Sequence, residues 1–234
     1  FDTTLAGLFS SGITKAASSS AYLLCLSIMV DHLPQDRLSL LSPFFDALMT
    51  IVSKGSASIA TDATLSLYII SKLSESHFKD KAVWKSIRLS SSFLNTPAHY
   101  PLSTELSQGQ LQSDGSSLLN EMLARCRASI CGQVLEDRTD EIIAVYTESE
   151  NGGKSFEMSI LSSMIALMMH PHLSVRNQAI MALQVVQSTK PEFNLVLLKH
   201  IPDYLEHIYS LVGSDAYYKA IPTNRASRSL LKTI

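Results

Sequence analysis

The chain has 234 residues, is 46% hydrophobic and 17% charged, and carries a formal net charge of −2. Soluble domains average about 25% charged residues, and here serine, roughly one residue in seven, takes up the difference. The apolar fraction excludes disorder, three cysteines exclude a disulfide scaffold, 19 basic against 21 acidic residues do not suggest a general nucleic-acid binder, and a clean apolar run such as Ala21–Leu26, which no other exceeds in length, is far too short to span a bilayer.

The first 90 residues read as helices. Asp2-Thr3-Thr4 caps a helix with Leu5, Leu8, Phe9 and Ile13 on one face. Ser18–Ser20 starts a second, carrying Tyr22, Leu23, Leu26, Met29 and Val30, which His32-Leu33-Pro34-Gln35 breaks. Asp36 caps a third through Leu38, Leu41, Phe45, Leu48 and Val52, with Pro43 just past its first turn and Gly55 at the C-cap. A fourth runs from about Ser58 to Leu73 with Ile59, Ala63, Leu67, Ile70 and Leu73 on one stripe, and a short one around Ala82–Leu89 holds the only tryptophan, Trp84. No strand-length alternation interrupts them, so the expected class is all-α.

Residues 90–113 lose the helical period to Ser, Asn, Pro, Gly and Gln. A helix is expected over about 116–134, then polar loop over 136–153 except for Glu141–Thr147, where the apolar run fits strand or helix. The expected division is therefore helix pairs over 1–89, an irregular polar insertion over 90–155, and a helical repeat, a following helix and a basic tail over 156–234.

The last third holds the sharpest pattern. Phe156–Met169 is an apolar helix, His170-Pro171-His172 a tight turn, and Ser174 caps a second helix reading Val175-Arg176-Asn177-Gln178-Ala179-Ile180-Met181-Ala182-Leu183. This resembles the HEAT-repeat signature, with Pro171 in the turn, Val175 in the core, Arg176 reaching a neighbouring repeat's carboxylate or carbonyl, and Ala179 and Ala182 small enough for close helix approach. His170 stands where the signature has Asp. Leu41–Ser53 followed by Ile59–Leu73 is a weaker copy, and Leu5–Val30 a possible third, so the expected architecture is a HEAT/armadillo-like α-solenoid of antiparallel helix pairs. Glu192–Val212 follows as a helix bent at Pro202.

Catalytic, cofactor and metal residues are not expected. Gly152-Gly153-Lys154-Ser155 opens a helix as a phosphate loop does, but the required earlier glycine is Glu148, and Glu150 puts a negative charge where phosphates would sit. His170 and His172 do not complete a zinc site. Cys126 and Cys131 read as buried small hydrophobes, and all three cysteines as reduced thiols of a cytosolic protein. His200 and His207 read as partly exposed helix residues, and no nucleophile elbow frames any serine. The cluster Met158, Met164, Met168, Met169 and Met181 reads as core rather than as an adaptable groove. Lys219, Arg225, Arg228 and Lys232 form a basic tail suited to RNA or an acidic partner.

The order of the pieces carries a closer likeness. Ala21-Tyr22-Leu23-Leu24-Cys25, Ser71-Lys72-Leu73-Ser74 and Val175-Arg176-Asn177-Gln178-Ala179 resemble, in succession, the N-terminal HEAT region of the large ribosome-associated activators of the general amino-acid control pathway. The likeness covers 1–89 and 156–200, and is weak over 90–155 and the tail. It implies a non-catalytic, cytoplasmic scaffold segment of a larger protein, flanked by further HEAT repeats. The parent would bind stalled or collided ribosomes and ribosome-associated proteins, work with an ABC-type partner, and promote activation of the initiation-factor-2 alpha kinase in amino-acid starvation. The kinase-binding part has no counterpart here. The alternatives are an adaptor of another pathway, such as a transport or chaperone scaffold, and a nucleotide-binding enzyme using the Gly152–Ser155 loop. Phe1 in place of Met, and an end just past Leu230-Leu231, are expected of a fragment cut from a longer chain.

Overall fold

The computed structural model describes residues 19–54, 60–73, 77–95, 115–148, 156–168, 170 and 172–200. Among them every regular element is helical and no strand occurs. No described helix is long and apolar enough to cross a membrane. The expected first helix over Leu5–Ile13, Gly55, Pro202 and His207 lie outside the described residues. The chain divides into two compact units, Phe1–Thr96 and Pro97–Ile234.

The first unit contains α1 (Ser19–His32), a 3-10 segment (Gln35–Phe44), α2 (Phe45–Ser53), α3 (Ala60–Leu73) and α4 (Lys81–Ser90). Helix α3 is its axis. The sequence marks one apolar stripe on it, yet every residue from Ala63 to Ser71 is buried, because α1 and α2 both pack on it and the turn Ser92–Asn95 covers it further. A helix buried all round must satisfy its own polar side chains. Thr64 donates to the Ala60 carbonyl at 2.8 Å and Ser71 to the Tyr68 carbonyl at 2.6 Å. Ser66 is fully buried and its hydroxyl finds no acceptor. Tyr68 donates to Asp31 on α1, and Ser20 donates to Asp62 at 2.5 Å.

The third expected helix is two elements. Asp36 does not cap it; Pro34 holds the cap position and no side chain bonds there. Pro43 has no N–H to give residue 39 and its ring crowds that carbonyl, so the chain runs as 3-10 until Phe44. The apolar positions agree: Leu38, Leu41 and Phe44, all buried, recur every three residues as 3-10 geometry requires. From Phe45 the α period takes over, with Leu48, Ile51 and Val52 inward. Helix α4 starts where Asp80 accepts from the Ala82 and Val83 N–H groups at 2.7 and 3.3 Å, and ends at Ser91 in the left-handed region at φ 38°.

The second unit contains α5 (Gly115–Asp137), α6 (Thr139–Glu148), α7 (Phe156–Met168), α8 (Leu173–Thr189) and α9 (residues 193–200). Helix α5 is the axis here, and α6, α7 and α8 all pack on it. The helix expected at about 116–134 is thus an integral part of this unit. Of the expected loop, residues 136–137 instead close α5 and 139–140 open α6 after a turn at Arg138, and the apolar run Glu141–Thr147, which fitted strand or helix, is helix. The acidic and basic residues over 136–141 form the outer face, including Arg138 donating to Glu141 at 2.6 Å, while Ile142 and Tyr146 point inward one turn apart. Helices α5 and α8 approach each other closely. A Cβ added at Gly132 would stand 2.8 Å from the Ala182 Cβ, so the axes meet there only because residue 132 has no side chain.

Two outcomes test this packing. Gly132→Val is expected to lower unfolding stability by about 1–3 kcal/mol, the usual cost of overpacking, measured by urea denaturation. Ser66→Ala removes a buried hydroxyl without a partner and is expected to raise stability by roughly 1 kcal/mol, visible as an increased Tm.

Candidate functional site

The sequence-marked residues are distributed unevenly. The basic tail (Lys219, Arg225, Arg228, Lys232), the Gly152-Gly153-Lys154-Ser155 loop, Met169 and Pro171 lie outside the described residues. Val175 and Ala179 are fully buried on the inner face of α8. Arg176 donates from Nη1 to the His170 carbonyl at 2.7 Å, so it closes its own hairpin. Ser174 is exposed and does not cap α8; His172 occupies the cap position without a side-chain bond. The helix begins at Leu173, two residues earlier than a Ser174 cap allows.

Two histidines build that turn. The His170 and His172 rings stack with centroids 5.4 Å apart. The His172 N–H donates to His170 Nδ1 at 3.2 Å, which makes Nδ1 an acceptor and leaves the neutral ring its proton on Nε2. His170 is buried. Burial, then the neighbouring His172 and Arg176, lower its pKa from the ordinary 6.5 to about 4. A carboxylate invisible in the local sequence also arrives: Glu121 on α5 lies 3.4 Å from His172 Nδ1. Among the described residues no group of three or more His, Cys, Asp or Glu side chains is placed to hold a metal ion.

A second cluster joins α6, α7 and α9. His200 is buried instead of partly exposed. The Tyr146 hydroxyl lies 2.5 Å from its Nδ1 and Ser162 Oγ 3.0 Å from its Nε2. The Tyr146 ring meets the imidazole edge-on at 5.9 Å. Both hydroxyls donate or accept, so either imidazole tautomer is satisfied. Phe193, Val196 and His200 share the inward face of α9, and burial there is affordable only because both ring nitrogens find partners. Those partners stand 54 and 38 residues away in sequence, so no local pattern announces them. A serine hydroxyl on an imidazole is also the start of a nucleophile–base pair. Ser162, however, sits inside α7, where the neighbouring N–H groups are committed to helix carbonyls and do not form an oxyanion hole.

A third cluster lies between α5 and α7. Arg127 is buried and donates from Nη2 to Ser163 Oγ at 2.8 Å, and Ser163 donates in turn to the Ser159 carbonyl at 2.8 Å. Cys131 sits one turn along. Burial pushes its thiol up to about 11, against the opposing pull of the Arg127 guanidinium, and burial lowers the Arg127 pKa. A protonated, inaccessible thiol is chemically quiet. Cys126 is buried likewise, whereas Cys25 is exposed. Of the methionines, Met164 is core and Met158 and Met168 are half-buried, but Met181 is 64% exposed.

Met181 belongs to the most distinctive surface of the second unit. The outer face of α8 presents Leu173, Asn177, Met181, Gln184, Val185 and Ser188, all exposed and none charged. Leu173 is 60% and Val185 46% exposed. The only charged residue of α8, Arg176, turns to the His170 carbonyl. Outward faces of solvated helices normally carry charged and polar residues, so this one has the composition of a packing surface.

The histidine turn predicts an acid weakness with a definite sign. The fold holds His170 neutral down to pH about 4, whereas the unfolded chain protonates near 6.5, so stability is complete above that value and falls as the pH drops toward 4. Between pH 7.5 and 5 the expected loss is about 1–2 kcal/mol, read as a lower urea midpoint, and His170→Asn is expected to shrink that difference.

No family model matches the chain, and no curated protein or solved structure matches it, so its function is to be reasoned from these side chains and surfaces.

Proposed function

We propose that the chain is a non-catalytic, HEAT-type α-solenoid segment of a larger cytoplasmic translational regulator. Its work is to stack against neighbouring helical repeats and to help place the parent on ribosomes in the amino-acid starvation response. The observation that carries the scaffold part is the charge-free outer face of α8. In a repeat array each unit buries its faces only against its neighbours, and an uncharged helix face with Leu173, Met181 and Val185 exposed is what such stacking needs. The hairpin of α7 and α8, with Val175 and Ala179 inward, supports the HEAT reading, although Arg176 bonds within its own turn instead of reaching a neighbouring repeat. The ribosomal part is supported by the resemblance over 1–89 and 156–200. A formal charge of −2 supplies little long-range steering, so binding by the isolated chain is expected to be weak and favoured at low salt.

The test has two arms. In sedimentation velocity the chain is expected to self-associate with rising concentration, and Met181→Glu with Val185→Lys is expected to leave it monomeric; a strictly monomeric wild type at high concentration counts against a stacking face. In co-sedimentation the chain is expected in the ribosomal pellet at low salt. Absence there, together with nucleotide binding that disappears in Lys154→Ala, would replace the scaffold by an enzyme.

A further inference from the structure

The nearly balanced overall charge conceals a local segregation in the first unit. Helix α4 buries Val83, Trp84 and Ile87 and exposes Lys81, Lys85, Arg88 and Leu89 on the opposite face. The three cations stand at i, i+4 and i+7, which places them in one row about 10 Å long. Exposed Lys79 adjoins them. No Asp or Glu occurs between Asp80 and Glu105, and the Asp80 carboxylate is turned into the helix end, accepting from Ala82 and Val83 N–H. Elsewhere in the described part of this unit Asp31, Asp36, Asp46 and Asp62 outweigh Arg37, Lys54 and Lys72. Helix α4 is therefore the cationic pole of a unit whose other described residues nearly balance in charge.

The position of Lys81 is informative. It is the first residue of α4, where the helix dipole is positive and a cation is disfavoured. A side chain that works against its own helix points to a use other than folding.

We propose that the outer face of α4 is a contact surface for the phosphate backbone of RNA. The inference rests on the ribosome-directed reading and names the chemistry of one of its contacts. Phosphates are the complement of a regular row of long, flexible cations, which need no pocket and read no sequence. An acidic helix or peptide would require apolar seats between the charges, and the intervening Ala82 and Ser86 are too small to provide them. An anionic bilayer would require a broad apolar face to insert, and beside this row only Leu89 is apolar and large, at 78% exposure.

The probe is a fluorescein-labelled uridine 20-mer, titrated with the full chain by anisotropy at 50 and 150 mM KCl. About three phosphate contacts on a single strand give a log–log salt slope near −2, or roughly tenfold weaker binding across that range. Lys81→Gln with Lys85→Gln is expected to weaken binding about tenfold at the lower salt and to reduce the slope to below about 1, with an unchanged circular-dichroism spectrum and a Tm unchanged or slightly raised. Unchanged affinity and slope in that variant would sink the proposal. So would no binding by the wild type, a loss seen only in Arg225→Gln with Arg228→Gln, which would move the contact to the tail, or equally tight binding of poly-aspartate or phosphatidylserine vesicles. Ribosome co-sedimentation separates the two levels. If the Lys81→Gln, Lys85→Gln chain keeps wild-type uridine binding while both sediment with ribosomes, the α4 assignment fails and the ribosomal reading survives. If neither sediments but uridine binding still depends on Lys81 and Lys85, the ribosomal reading fails and the α4 assignment stands.

Discussion

Helices α3 and α5 are buried around most of their circumference, and the rest of each unit follows from that constraint. Such a helix needs packed neighbours on every side, and each Leu, Ile or Val it hides contributes about 1.5–3 kcal/mol. It therefore fixes where α1 and α2 stand in the first unit and where α6, α7 and α8 stand in the second. At one close contact the constraint reduces to single atoms. Gly132 and Ala182 set how closely α5 and α8 can run, and through α8 they position the turn that His170, His172 and Arg176 close.

A surrounded helix also obliges its polar groups to find partners inside the protein. Serine and threonine manage this locally by donating to a carbonyl one turn back, as Ser27 does to Leu23 at 2.8 Å, so a serine-rich chain can bury polar residues without long-range pairing. The larger polar groups cannot. Arg127 reaches Ser163, and His200 reaches Tyr146 and Ser162. These bonds cross between helices and tie their registers together, and leaving one partner unpaired would cost about 1–3 kcal/mol.

With the interiors so committed, the faces that remain outward carry the functional information. They differ in kind. The outer face of α8 is neutral and partly apolar, while that of α4 is cationic. One suits packing by another helix and the other suits a polyanion. The low overall charge of the chain is thus unevenly distributed, with little of it on α8 and a concentration of one sign on α4.

The all-helical class was legible from the sequence because helical periodicity is a local property. Leu23, Leu26 and Val30 mark the inward face of α1 whatever packs against it, and Val175, Ala179 and Leu183 do the same for α8. The charge row of α4 is equally local, whereas the caps expected at Asp36 and Ser174 do not form. What the sequence could not determine is what depends on distant neighbours. The 3-10 path over Gln35–Phe44 follows from Pro43 acting on its preceding turn, while the apolar spacing alone fits either helix type. Helix α6 needed α5 and α7 to give its short apolar run a side to face. The burial of His200, the partnership of Glu121 with His172 and the need for glycine at 132 were decided only when helices far apart in sequence met. Periodicity specifies which face of a helix turns inward, but the partner of a buried polar atom, and the space left for a side chain, are set by the other element.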